Sequence, residues 1–143
     1  MRCEQIMKRH VHRARPTDSL RAAAQKMREY NVGFLPVCDE HDHVVGVVSD
    51  RDIVVRACAD DKTMSATRVE AVMSPDVIAC RPTHGIRHAE TLMIENRKSR
   101  VVVTDADGVL LGVISLSDLV QYETPAHTAD TLAAISERKY ERG

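Results

Sequence analysis

Aromatic side chains are scarce in this 143-residue chain, which has three Tyr, one Phe and no Trp. Proteins that hold single-stranded nucleic acid stack bases on aromatic rings, so that mode has almost nothing to build on here. An excess of one charge is also missing. Twenty Lys and Arg stand against 21 Asp and Glu, for a formal net charge of −1. A general nucleic-acid face needs a basic surplus to release counterions from phosphates, so no nucleic-acid partner is expected. No apolar run reaches the roughly 18–20 residues of a membrane span. The charged start, Met1 to His10, has no apolar stretch behind it of the kind a secretory signal needs. The four cysteines (Cys3, Cys38, Cys58, Cys80) make no C-x-x-C pair and read as reduced thiols of a cytoplasmic protein without a membrane partner.

Apolar residues make up 43% of the chain, enough for a packed core, and with so few rings it must come from Val, Ile, Leu, Met and Ala. The most informative feature is an internal repeat. Shifted by 66 residues, the chain matches itself without a gap. Pro16-Thr17 falls on Pro82-Thr83, Met7 on Met73, Met27 on Met93, Gly46-Val47 on Gly112-Val113, Ser49 on Ser115 and Asp52 on Asp118. Sixteen identical pairs lie within Ile6–Val54, against about three expected from ordinary composition. Two copies are too few for a solenoid, and a unit of about 50 residues buries little surface alone. The copies are therefore expected to pack face to face about a pseudo-two-fold axis, with related clefts between them.

Each copy reads β-α-β-β-α, which makes the whole an α/β protein. Leu20, Ala23 and Met27 fall at helical spacing after Pro16, with Thr17 or Asp18 suited to the cap and Gly33 to the C-terminal end. Ile86, Ala89 and Met93 repeat the stripe. Phe34–Cys38 and Val101–Thr104 read as strands that turn back through Asp-rich loops into Val44–Val48 and Val109–Ile114. Helices restart at Ser49 and Ser115, and Val11–Ala14 and Val77–Cys80 read as short lead-in strands. The expected organisation is a first repeat over 6–58, a linker over 59–71, a second repeat over 72–122 and a tail over 123–143. In the linker, Thr67-x-x-Glu70 has the pattern of a capping box that starts a short helix. In the tail, Leu132 and Ile135 share helical spacing, and a partly helical, solvated segment is expected.

The turns Gly46-Val-Val-Ser49-Asp-Arg-Asp52 and Gly112-Val-Ile-Ser115-Leu-Ser-Asp118 join a strand to a helix. Such a junction offers backbone N–H groups and a dipole to an anion, and the carboxylate can accept both hydroxyls of a ribose. Ser-x-x-Asp is equally the pattern of a capping box, which needs no ligand. Arg51 opposes the dipole in the first helical turn, which a bound anion or the flanking Asp50 and Asp52 would offset.

Paired β-α-β-β-α units, each ending in Gly-hydrophobic-hydrophobic-Ser-x-x-Asp, resemble a tandem pair of CBS (cystathionine-β-synthase) domains, over about residues 6–122. The second copy, with Ser99-Arg100-Val-Val-Val and Gly112-Val-Ile-Ser115-Leu-Ser117-Asp118, is similar to the last repeat of the regulatory gamma subunit of AMP-activated protein kinase. The first, with Ser49-Asp-Arg-Asp52-Ile, resembles small stand-alone bacterial two-CBS proteins. The resemblance implies a regulatory ligand, AMP, ADP, ATP or S-adenosylmethionine, held in clefts between the copies, and no required cofactor. Carried over, Asp52 and Asp118 hold ribose hydroxyls. Ser49, Ser115, Ser117 and Arg100 meet phosphate, and Arg51 joins them on the strength of its charge. Adenine lies against Leu35, Pro36 and Val47 or against Val101 and Val113, with Ala14 in the Asp118 cleft and Cys80 in the Asp52 cleft. Position 36 is Pro but its twin is Val102, and position 100 is Arg where its twin is Phe34, so the two clefts are unequal. The family also implies a homodimer and an effector protein that receives the signal.

Other readings stay open. A ligand-free interaction module needs the Ser-x-x-Asp pairs only as caps. A metal- or redox-responsive protein could use the seven histidines, of which His84 and His88 are four apart with Cys80 four residues earlier. Surface histidines and a buried cysteine are the plainer account. No Walker loop, nucleophile elbow or paired-carboxylate motif is present, so a non-enzyme is expected.

Overall fold

The computed structural model describes residues 1–122 and 124–137. In chain order its elements are α1 (Cys3–Ile6), α2 (Leu20–Tyr30), β1 (Phe34–Cys38), β2 (Val44–Ser49), α3 (Asp50–Arg56), β3 (Ala79–Cys80), α4 (Ile86–Asn96), β4 (Arg100–Thr104), β5 (Leu110–Ser115), α5 (Leu116–Leu119) and α6 (Pro125–Ser136). The fold is α/β.

Local chemistry sets the helix ends. Leu20, Ala23 and Met27 are buried along one face of α2. Its cap is Ser19, not Thr17 or Asp18: the Ser19 hydroxyl accepts from the Ala22 N–H, while Asp18 accepts from the Arg15 N–H at 2.8 Å. The helix stops at Asn31, which takes the left-handed conformation at φ 52°, two residues before the expected Gly33. Asn tolerates that region because its short polar side chain can bond locally. In the second repeat Arg97 ends α4 at φ 53°. The Thr67-x-x-Glu70 capping box does not form. Thr67 donates its hydroxyl to the Thr63 carbonyl, and only a 3₁₀ turn, Val69–Ala71, follows.

Strands β1 and β2 pair antiparallel, Leu35 opposite Val48 and Pro36 opposite Val47. Ala14 adds a parallel bridge at the edge, donating to the Pro36 carbonyl and accepting from the Cys38 N–H, both at 2.9 Å. That pattern asks Pro36 only for its carbonyl, so its missing donor costs no ladder bond. The twin strand β4 pairs with β3 over two residues, Ala79 opposite Val102 and Cys80 opposite Val103. There the Val102 N–H donates to the Ile78 carbonyl at 2.9 Å, a bond proline could not make. The departure from Pro at position 102 follows from the longer pairing.

The chain divides into two compact units that cut across the repeats. One contains Met1–His10, Ile78–Ala106 and the chain from Leu111; the other contains Val11–Val77 with Asp107–Leu110. In the first, Cys3, Ile6 and Met7 pack with Ala89, Met93, Val101, Val103, Ile114 and Leu119. In the second, Val69 and Val72 pack with Leu20, Met27, Leu35, Val37, Val48 and Ile53. The segment leading into each repeat therefore completes the core built by the other repeat. The bonds that seat these segments repeat at the 66-residue shift. Lys8 and Val113 exchange N–H···O bonds of 3.0 and 3.1 Å, and Ser74 and Val47 exchange bonds of 2.8 and 2.9 Å. Both crossings depend on glycine. A Cβ on Gly46 would lie 2.9 Å from the Ser74 carbonyl oxygen, and one on Gly112 would lie 2.8 Å from that of Lys8. The glycine that opens the Gly-x-x-Ser motif is needed for this close approach.

Over the described residues 124–137 the tail is helical, as expected, and part of it docks on the first unit; positions 123 and 138–143 of the expected tail lie outside the described residues. Thr124 caps α6 and Pro125 opens it. Thr131 is buried, and Ile135 packs against the core of the first unit. His127 Nε2 meets Glu90 Oε1 of α4 at 2.5 Å, and the Thr131 hydroxyl reaches the same oxygen at 3.4 Å. Among the described residues no helix is long and apolar enough to cross a membrane.

Candidate functional site

Each strand-to-helix turn forms the full capping box. Asp52 Oδ2 accepts the Ser49 N–H at 2.9 Å, and Ser49 Oγ accepts the Asp52 N–H at 3.1 Å. Asp118 and Ser115 do the same at 2.9 and 3.2 Å. One of the two oxygens of each carboxylate is thereby engaged in the cap. The other oxygen faces a cation. Lys8 Nζ lies 3.8 Å from Asp118 Oδ1, and Arg56 Nε lies 3.7 Å from Asp52 Oδ1. The Asp118 side chain is 11% exposed and that of Asp52 is 20%.

The helix-dipole contribution is also smaller than the sequence suggested, because α3 runs seven residues and α5 only four. In α3 the first N–H groups are already used. Asp50 donates to the Gly33 carbonyl, Arg51 to Asp50 Oδ1 at 2.8 Å, and Asp52 to Ser49. In α5 the Leu116 N–H donates to the Ser99 carbonyl and the Asp118 N–H to Ser115. Ser115 and Ser117 join their hydroxyls at 2.7 Å. The two turns differ most at one position, where Asp50 in the first stands in place of Leu116 in the second.

Of the residues expected around adenine, Leu35 and Val101 are fully buried and belong to the two cores. Val47 and Val113 are half-buried, and Pro36 lies opposite Val47. Ala14 sits against Val37 in the unit that contains Asp52, and Cys80 lies in the unit that contains Asp118. Arg51 and Arg100 are exposed. Lys8 was not legible as a site residue, since nothing in its spacing ties it to Asp118. Arg56 carried a usable signal, four residues after Asp52 on one helix.

The grouping of Cys80 with His84 and His88 does not form. Cys80 turns its sulfur to Cys3, at 3.7 Å. His84 and His88 touch edge to face, and His84 Nδ1 accepts the Arg81 N–H at 3.0 Å. Among the described residues no three His, Cys, Asp or Glu side chains gather to hold a metal ion. The Cys80 S–H donating to Cys3 holds the Cys3 thiol below its ordinary range despite burial, and the same contact with burial pushes Cys80 up. Burial drives Cys38 upward, with the Asp42 and Asp39 carboxylates adding to it and Arg13 and Arg15 opposing it.

Comparison with known proteins finds the same duplication. A family model of the CBS domain matches residues 3–57 and again 69–124. An uncharacterized protein of Methanopyrus kandleri is 27% identical over 119 residues, covering 83% of this chain; the chain spans 61% of that relative's length. A conserved CBS domain protein of unknown function from Thermoplasma acidophilum superposes with a TM-score of 0.82 at 25% identity, over 94% of this chain and 75% of that one. The structure of CBSX2 in complex with AMP superposes with a TM-score of 0.74 at 26% identity, over 85% of this chain and 94% of that one.

Proposed function

The chain belongs to the CBS-domain family, of which it carries a tandem pair, and on that premise we propose that it is a regulatory module that senses an adenosine-containing ligand. The observation that carries the reading is the second oxygen of Asp118. The side chain is nearly buried, its Oδ2 serves the cap, and Oδ1 is left facing a cation at 3.8 Å. A carboxylate oxygen has two lone pairs and can accept both hydroxyls of a ribose without dismantling the cap. On the phosphate side, Ser117, Ser115 and Arg100 are joined by Lys8. Adenine would lie along Val113. The related set is Asp52, Ser49 and Arg51, with Pro36 and Val47 for the base. Asp50 adds a carboxylate there and uses the Arg51 N–H, so a phosphate-bearing ligand favours the Asp118 set. CBSX2, 26% identical, was solved with AMP, which supports the nucleotide class. A ligand held more tightly in one conformation than another shifts the population toward it, which is how occupancy would reach a partner protein, a second copy of this chain first among them.

The complete capping boxes favour a second reading, a ligand-free interaction module. Thermal unfolding with AMP and with S-adenosylmethionine separates the two. A ligand at 100 times its Kd adds about 2.7 kcal/mol of stability. Asp118→Asn keeps an oxygen for the Ser115 N–H but replaces Oδ1 with an amide donor, so it retains the cap and loses the ligand increment. If neither ligand stabilises the wild-type chain, or if Asp118→Asn and Asp52→Asn both keep the full increment, the sensing assignment is wrong.

A further inference from the structure

The two sulfurs of Cys3 and Cys80 lie 3.7 Å apart at zero and 2% exposure within one core. We propose that they form a peroxide-responsive thiol pair, which a hydroperoxide converts into a disulfide that staples the N-terminal segment to β3. The roles of the two thiols follow from where they sit. In the docked state the Cys80 S–H donates to Cys3 Sγ, and the Cys3 S–H donates to the Gly85 carbonyl at 3.7 Å. Cys3 is carried on the short leading segment and reaches solvent when that segment lifts, so its thiolate fraction attacks first, and Cys80, held on β3, resolves.

Access comes from the segment itself. Helix α1 has only four residues. It is held to the second repeat by the Cys3 N–H to the His84 carbonyl (2.8 Å), Glu4 N–H to Pro82 (3.0 Å), and Ile86 N–H to Met1 (3.0 Å). So short a segment opens locally well below the cost of global unfolding. Once lifted, the Cys3 thiolate attacks the peroxide O–O bond, giving a sulfenic acid and an alkoxide or hydroxide that takes up a proton. Redocking returns the sulfenic sulfur to Cys80. The Cys80 sulfur attacks it, the S–S bond forms, and the sulfenic oxygen leaves as water with the Cys80 proton. In sum, two thiols and one hydroperoxide give one disulfide, one alcohol (or water) and one water. Side-chain rotation brings the sulfurs from contact to bonding distance, about 2.05 Å. The bond would close a ring around residues 4–79, which holds the whole of Val11–Val77. Oxidation thus fixes the docked state of the N-terminal segment and removes freedom from the unfolded chain.

The test uses the full chain carrying Cys58→Ser, which removes the exposed thiol as a source of bonds between molecules. The protein is treated with hydrogen peroxide, quenched, denatured and alkylated, and its intact mass is measured. Before oxidation all three remaining cysteines take the alkylating group; after it only Cys38 does. Digestion then yields a peptide linking Cys3 to Cys80, dithiothreitol reverses the change, and the oxidised protein melts higher than the reduced. Cys3→Ala and Cys80→Ala each abolish the linked peptide. Three alkylated cysteines after peroxide, a linked peptide that contains Cys38, or oxygen added to Cys3 with no link to Cys80 would overturn the proposal.

Discussion

Replacing Gly112 with Ala should damage one crossing of the chain and leave its twin intact. A Cβ at Gly112 would stand 2.8 Å from the Lys8 carbonyl oxygen, 2.8 Å from Met7 Sδ and 3.0 Å from Met7 Cγ. Met7 can turn aside, but the Lys8 oxygen is fixed by its bond with the Val113 N–H at 3.1 Å. Overpacking of this kind costs about 1–3 kcal/mol. If the strand yields instead, two backbone bonds of about 0.5–1.5 kcal/mol each are lost. Alanine returns about 0.5–1 kcal/mol by restraining the unfolded chain. Gly112 is not in the left-handed region, so relieved backbone strain does not enter. The net loss is about 0–2.5 kcal/mol, a drop in Tm of up to roughly 10 °C for a chain of this size. Urea denaturation measures the loss, and hydrogen exchange locates it. The amides of Lys8 and Val113 should exchange faster, and those of Ser74 and Val47 should not. A Gly112→Ala chain more stable than wild type would refute the steric account, and so would equal acceleration at both crossings.

Three further outcomes are expected. At neutral pH, in reduced native protein, Cys58 should be alkylated quickly and Cys38 only on unfolding, because Cys38 is buried and its thiol is held up in the neutral form; equal rates would contradict this. Asp39 is held below the usual carboxylate range: desolvation opposes ionisation, but the N–H groups of His43 and His41, both 2.9 Å from Oδ1, and the His43 ring outweigh it. Its contribution is therefore present above the unfolded value near pH 3.9 and lost as pH falls through the lower folded value, and an Asp39→Asn chain should show less acid sensitivity in that window. Glu90→Ala removes the acceptor that His127 and Thr131 share, so α6 should lose protection from hydrogen exchange over residues 125–136, at a cost of about 1–3 kcal/mol; unchanged protection would show that apolar packing alone holds the helix.

The duplication made the element order legible, since a 66-residue shift fixes two copies of one pattern and strands such as Phe34–Cys38 follow from alternation and turn residues. The Ser-x-x-Asp pairs were legible as caps because a capping box is a local matter of spacing. What could not be read is nonlocal. Nothing near Lys8 in the sequence announces Asp118, and nothing near Cys3 announces Cys80, because both contacts arise when the leading segment crosses to the other repeat. The burial of the strands expected beside adenine is a related matter. Pairing register decides which face of a strand looks inward, and it sends Leu35 and Val101 into the core while Val47 and Val113 stay half-buried. The docking of the tail helix was not legible, because Thr131 and His127 look ordinary until Glu90 on α4 stands opposite them.

The exchange of leading segments also sets a timetable for synthesis. Lys8 leaves the ribosome 105 residues ahead of Val113, the residue it must pair with (113 − 8 = 105). At ordinary elongation rates that is a delay of roughly 5–20 s. For that interval Cys3, Ile6 and Met7 are an apolar segment with no pocket to enter, while Ser74 follows Val47 by only 27 residues (74 − 47 = 27). Of the two crossings, the one translated first therefore closes first, and residues 3–8 wait for the second repeat.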